Sequence, residues 1–110
     1  VYKRQLKRWG VVEISIVTFY EIVSGLQAKS AHRQLEQFEQ FANDNLVIPV
    51  TEKSARISAE LYAQLKQKGA MVDDIDLLIA GVAIENEMTL VTNNQKHFGR
   101  IEGLKVANWK

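Results

Sequence analysis

Val72-Asp73-Asp74-Ile75-Asp76-Leu77-Leu78-Ile79-Ala80-Gly81-Val82-Ala83 is the stretch from which the fold can be read. Three carboxylates crowd its start, and an apolar run follows directly. On a 100° helical wheel Ile75, Leu78, Ile79, Val82 and Ala83 cover one face, while Leu77, Ala80 and Ile84 cover most of the other. A helix apolar nearly all round belongs in a protein interior. Its first turn nevertheless carries Asp76, on the side lined by Ala80 and Ala83. A buried carboxylate is costly unless something pairs with it, and a metal ion is one such partner. The simpler reading makes Asp73 or Asp74 an N-cap and lets Asp76 favour the helix dipole. That accounts well for one Asp and poorly for three.

The chain has 110 residues, enough for one domain with a real core. It is 46% hydrophobic and 25% charged, as soluble globular proteins are. It has no cysteine, which excludes disulfides and thiolate metal sites and gives no argument for export. No apolar run approaches the roughly 18 residues of a membrane span, so a cytoplasmic protein without a membrane partner is expected. A net charge of +1 says little about partners.

Tyr2, Leu6 and Trp9 fall at helical spacing among Lys3, Arg4, Lys7 and Arg8, which predicts the end of an amphipathic helix closed by Gly10. Val11 to Val17 is β-branched and almost continuously apolar, the pattern of a strand covered on both faces. Thr18 is placed to cap the next helix, whose stripe is Phe19, Ile22, Val23 and Leu26. Glu21 lies opposite that stripe among Thr18, Ser24, Gly25 and Ala28; an ordinary exposed Glu would have the same neighbours. Ser30 is expected to cap a helix bearing Leu35, Phe38 and Phe41, with His32 at its surface. Leu46 to Val50 reads as a short strand ending near Pro49. Thr51 caps a helix with Ile57, Leu61 and Leu65, stopped by Gly69.

After the acidic helix, Met88 to Thr92 reads as a buried strand, followed by a polar turn through Asn93, Asn94 and Gln95. His97 in the segment beyond suits a structural or solvent-facing role better than a catalytic one. Leu104 to Ala107 is a last brief strand near Trp109. Strands alternating with helices predict an α/β fold around a parallel sheet, and ligands of such sheets gather at the carboxyl ends of the strands. Glu21 follows the first such strand and Asn94 the third, while Asp76 opens the helix leading into the third. Glycine-rich nucleotide loops, a serine elbow and a Cys–His pair are all missing.

Ile14-Ser15-Ile16-Val17-Thr18-Phe19-Tyr20-Glu21-Ile22-Val23-Ser24-Gly25 resembles one conserved block of the PIN-domain ribonucleases, and Ile75 to Ala83 resembles the next. Leu90-Val91-Thr92-Asn93-Asn94 with Phe98, and Gly103-Leu104-Lys105-Val106 with Trp109, resemble the closing blocks. Order and spacing are most similar to VapC, the toxin half of bacterial toxin–antitoxin pairs. The resemblance implies a three-layer α/β/α sandwich and a metal-dependent endoribonuclease holding Mg²⁺ or Mn²⁺. It also implies RNA as substrate, tRNA among the candidates, with a cognate antitoxin as partner. Glu21 and Asp76 would be metal ligands, with Asn94 joining them in catalysis and Ser15, Thr18 and Thr92 in support. No family role falls on Asp73 or Asp74. An apolar helix surface larger than one sheet face can cover points to a homodimer.

The family's opening strand, which ends in a metal-binding Asp and lies mid-sheet, has no match before Val11. Residues 1–110 are therefore expected to form a single PIN-like domain lacking its first, central strand and N-terminally incomplete. The slot must then be filled by a swapped segment or a partner, or the chain must rearrange, because two strands would otherwise lose hydrogen-bond partners. A catalytically inactive PIN-like domain that binds RNA or protein is the alternative. A receiver-like module fits less well, since its acidic pair belongs at a first strand.

Overall fold

A computed structural model describes residues 5–8, 11–92 and 98–108 of the chain. In chain order the elements are β1 (Gln5–Arg8), β2 (Val11–Ser15), α1 (Ile16–Ala28), α2 (His32–Asp44), β3 (Val47–Ile48), α3 (Glu52–Gln67), α4 (Asp74–Glu85), β4 (Thr89–Thr92) and β5 (Lys105–Asn108). The five strands form one sheet in the order β3-β2-β1-β4-β5. Pairs β2–β3 and β4–β5 are parallel, whereas β1 runs antiparallel to both β2 and β4. Four strands therefore point one way, and the one between them is reversed. The sheet is mixed, within the expected α/β class.

The helix expected across Tyr2, Leu6 and Trp9 is overturned where it is described: Gln5–Arg8 is a strand. Tyr2 and Trp9 lie outside the described residues. Leu6 is fully buried opposite both Glu13 and Leu90, with Lys7 exposed on the other face. Without β1, the facing backbone groups of β2 and β4 would go unpaired, a cost that outweighs any local helical preference in four residues. Among the described residues the place between β2 and β4 is taken by β1, antiparallel to both.

Leu6, Leu90 and Ile48 share one buried cluster with Leu77 and Ile79 of α4 and with Leu61 and Leu65 of α3. These helices meet at small residues. The Ser58 hydroxyl donates to the Leu77 carbonyl at 2.7 Å, and a Cβ on Gly81 would lie 2.5 Å from the Ser54 carbonyl oxygen. Helices α1 and α2 pair through aromatic rings, with Phe19 and Phe38 centroids 5.5 Å apart.

Most helix ends behave as expected, with two corrections. Strand β2 stops at Ser15 instead of Val17, and Ser15, not Thr18, caps α1 by accepting the Thr18 N–H at 3.1 Å. A hydroxyl three residues ahead of that N–H fits the cap geometry, which Thr18 itself does not. Ser30 closes α1 instead of capping α2. It sits at φ 54°, its N–H donates to the Gln27 carbonyl, and the Ala31 N–H donates to the Leu26 carbonyl. That is a Schellman closure. Gly69, at φ 69°, ends α3 in the same way.

Thr51 caps α3 as expected, in a reciprocal box with Ser54. Its hydroxyl also donates to Glu85 at 2.7 Å, tying the start of α3 to the end of α4. Thr51→Ala is expected to cost about 1 kcal/mol, lowering the midpoint in a thermal melt by roughly 4–8 °C.

Candidate active site

Because β2 and β4 both oppose β1, they end at the same edge of the sheet. Glu13 and Leu90 both face Leu6, and two residues further along stand Ser15 and Thr92, on the same face. Both are buried. With one strand between them, their backbones lie roughly 10 Å apart. This is the carboxyl edge of the parallel strands, where the topology of such sheets leaves room for a ligand.

Three further side chains belong to this edge. Thr18 is buried on the first turn of α1, and its hydroxyl accepts from the Ser15 hydroxyl at 3.3 Å. Glu21, half-buried, follows one turn later on the same helix. The third, Asp76, comes from α4. That helix joins β4 through a short connection closed by the Met88 N–H on the Ala83 carbonyl, so it runs back along the strand. Its first turn therefore returns to the end where Thr92 lies. Asp76 sits on that turn at 4% exposure, and α1 packs against α4.

The three aspartates of the opening motif separate clearly. Asp73 occupies the N-cap position of α4 but makes no side-chain capping bond, and both Asp73 and Asp74 are exposed. Only Asp76 is buried. Simple capping therefore does not explain the motif. Asn94 and His97 lie outside the described residues, and His32 is exposed on α2.

One buried carboxylate was not singled out from sequence. Glu13 is 7% exposed, on the face that carries Leu6 and Ser15. The available signal was a lone charge in an otherwise apolar strand.

The donors at the edge are two carboxylates and three hydroxyls, all hard oxygens of the kind that suit Mg²⁺ or Mn²⁺. Among the described residues no three His, Asp or Glu side chains converge as a complete metal cage. The set fits a cation that keeps several of its waters, as Mg²⁺ commonly does.

The sequence of residues 1–104 matches the PIN domain. The chain belongs to the PIN-domain family. Ribonuclease VapC1 of Methanocaldococcus jannaschii is 36% identical over 106 residues, spanning 94% of this PIN domain and 76% of that protein. The tRNA(fMet)-specific endonuclease VapC of Salmonella typhimurium is 32% identical over 97 residues, 87% of this chain and 74% of its own. Among solved structures, VapBC2 from Rickettsia felis bound to a promoter DNA fragment superposes with a TM-score of 0.81 at 34% identity. That match covers 89% of this PIN domain and 74% of the other chain. Among the described residues no helix is long and apolar enough to cross a membrane.

Proposed function

We propose that this PIN domain is a metal-dependent endoribonuclease of the VapC type, hydrolysing RNA phosphodiester bonds and neutralised by a cognate antitoxin. The observation that carries the reading is the buried Asp76 carboxylate on the first turn of α4, at the carboxyl edge of the sheet. The likeness to proteins named as VapC ribonucleases supports it, and the VapBC complex among the structural neighbours supports the antitoxin.

Asp76 and Glu21 would hold the Mg²⁺ or Mn²⁺. When bound, such a cation supplies an activated water and offsets charge building on the phosphoryl oxygens. The chain's own residues do the rest. Two carboxylates alone would repel a phosphate, so the site binds substrate only once their charge is balanced. The Ser15–Thr18 hydroxyl pair fixes the first turn of α1 and, with it, the approach of Glu21. Thr92 presents a hydroxyl from the end of β4, and Asn94 would add an uncharged oxygen. Among the described residues the one histidine, His32, is exposed on α2.

The test is incubation with tRNA and other structured RNA in Mg²⁺ or Mn²⁺, with chelator as control. Cleavage that disappears with chelator is expected. Intact RNA in both metals, or cutting that survives chelation, would overturn the reading. A homodimer in the cytoplasm is part of the same proposal. Tyr62 on α3 and Met71 in the turn before α4 are exposed apolar side chains available to a second copy.

A further inference from the structure

The hairpin of α1 and α2 encloses a cleft of about 400 Å³. Helix α1 lines it with Glu21, Ile22, Gly25 and Leu26, and the C-cap residue Lys29 continues the wall. Glu21, Gly25 and Lys29 recur every four residues, so they form one row along the helix. The row spans two turns, roughly 12 Å, from a carboxylate of the candidate active site to a cation. From the opposite wall α2 contributes Gln34 and Gln37, at the three-residue spacing that keeps both on one face. The Schellman closure at Ser30 sets the angle between the two walls.

We propose that this cleft is the subsite for a single-stranded nucleotide of the RNA flanking the scissile phosphate. The inference rests on the endoribonuclease reading and names how that same site holds its substrate. Three features select this occupant. The cleft begins at Glu21, so whatever fills it is continuous with the reacting phosphate. Its far mouth is cationic, with Lys29 on the wall and Arg33 exposed just beyond on α2, which suits the next phosphate along a polyanion. Its lining pairs the apolar side chains Ile22 and Leu26, against which a base face can lie, with two carboxamides able to bond a base edge. Hydrogen bonds to base edges can be made only where the bases are unpaired, whereas paired RNA is read by shape.

Gly25 makes the test clean. Nothing lies within 4 Å of a Cβ built on it, and its φ is not positive. A large side chain there would project into open space, and helix propensity favours almost any residue over Gly. Gly25→Trp should therefore fill the cleft and leave the fold intact. The steady-state kinetics of metal-dependent cleavage on an unstructured RNA oligonucleotide are measured for wild type, Gly25→Trp and Lys29→Gln, with thermal melts alongside. The expected result is a KM at least tenfold higher for Gly25→Trp at an unchanged or higher melting midpoint. For Lys29→Gln, the slope of log affinity against log salt should fall by about one phosphate contact.

Wild-type KM and salt slope in both variants, with the wild type cutting normally, would overturn the subsite alone. Variants that cut RNA normally but escape the antitoxin would overturn it in favour of a protein segment as occupant. A wild type that cuts no RNA would overturn the endoribonuclease reading and the subsite together.

Discussion

Asp76→Asn should lower RNA cleavage by about 100-fold, on the scale of disrupted metal ligation, while the protein stays folded. The substitution keeps the volume and one oxygen of the side chain and removes only the charge. A carboxylate at 4% exposure is held against a large desolvation penalty. Asn keeps the shape of the side chain but not the charge that a hard-cation site needs. Activity and stability should part company: cleavage collapses, and the circular-dichroism spectrum and thermal midpoint do not. A variant that cuts at the wild-type rate would show that Asp76 is structural. One that unfolds would show that its charge is needed to hold α4 in place.

The second large effect is on stability. Gly81→Val should destabilise the chain by about 3 kcal/mol, read as a lower midpoint in urea unfolding. The added Cβ collides with the Ser58 hydroxyl and lies 2.5 Å from the Ser54 carbonyl oxygen. The hydroxyl can rotate away, at the loss of its bond to the Leu77 carbonyl. The Ser54 oxygen belongs to the backbone of α3 and cannot. So α3 and α4 must move apart, opening the most tightly drawn seam of the core, and valine's two methyl groups widen the gap further. Because α4 also carries Asp76, the same displacement shifts a candidate ligand, and RNA cleavage should fall even at temperatures where the variant is folded. A wild-type urea midpoint would mean that the helices do not approach this closely.

The sequence announced some of this architecture clearly. The apolar wheel behind the three aspartates identified α4 as a buried helix, and it is one. Thr51 and Gly69 marked the two ends of α3, because caps and left-handed stops are local chemistry that neighbouring residues suffice to specify. Ser30 shows the limit of that logic. A serine ahead of a helix reads as a start, but the backbone bonds of the preceding helix claimed it as a stop.

Long-range pairing was less legible. In Gln5–Arg8 only Leu6 is apolar, and one buried leucine fits a helix and a strand equally. What decides is the demand of β2 and β4 for backbone partners, which no window of four residues contains. The closeness of Gly81 to Ser54 and Ser58 was hidden for the same reason, since a glycine in a helix does not name the helix it faces. Ser15, Thr18, Glu21, Asp76 and Thr92 are all legible in the sequence as candidates, and the parallel run of β2 and β4 ends Ser15 and Thr92 at one edge of the sheet. Glu13 is harder to read because its strand looks like one apolar run, and only its pairing opposite Leu6 shows which face it takes.

Sharing of one cation by Glu21 and Asp76 is the claim on which the account stands. Calorimetric titration of Mn²⁺ into wild type, Glu21→Gln and Asp76→Asn tests it without any RNA. The account predicts a single Mn²⁺ per wild-type chain and loss of that binding in each variant separately. Wild-type Mn²⁺ affinity in either variant would contradict it.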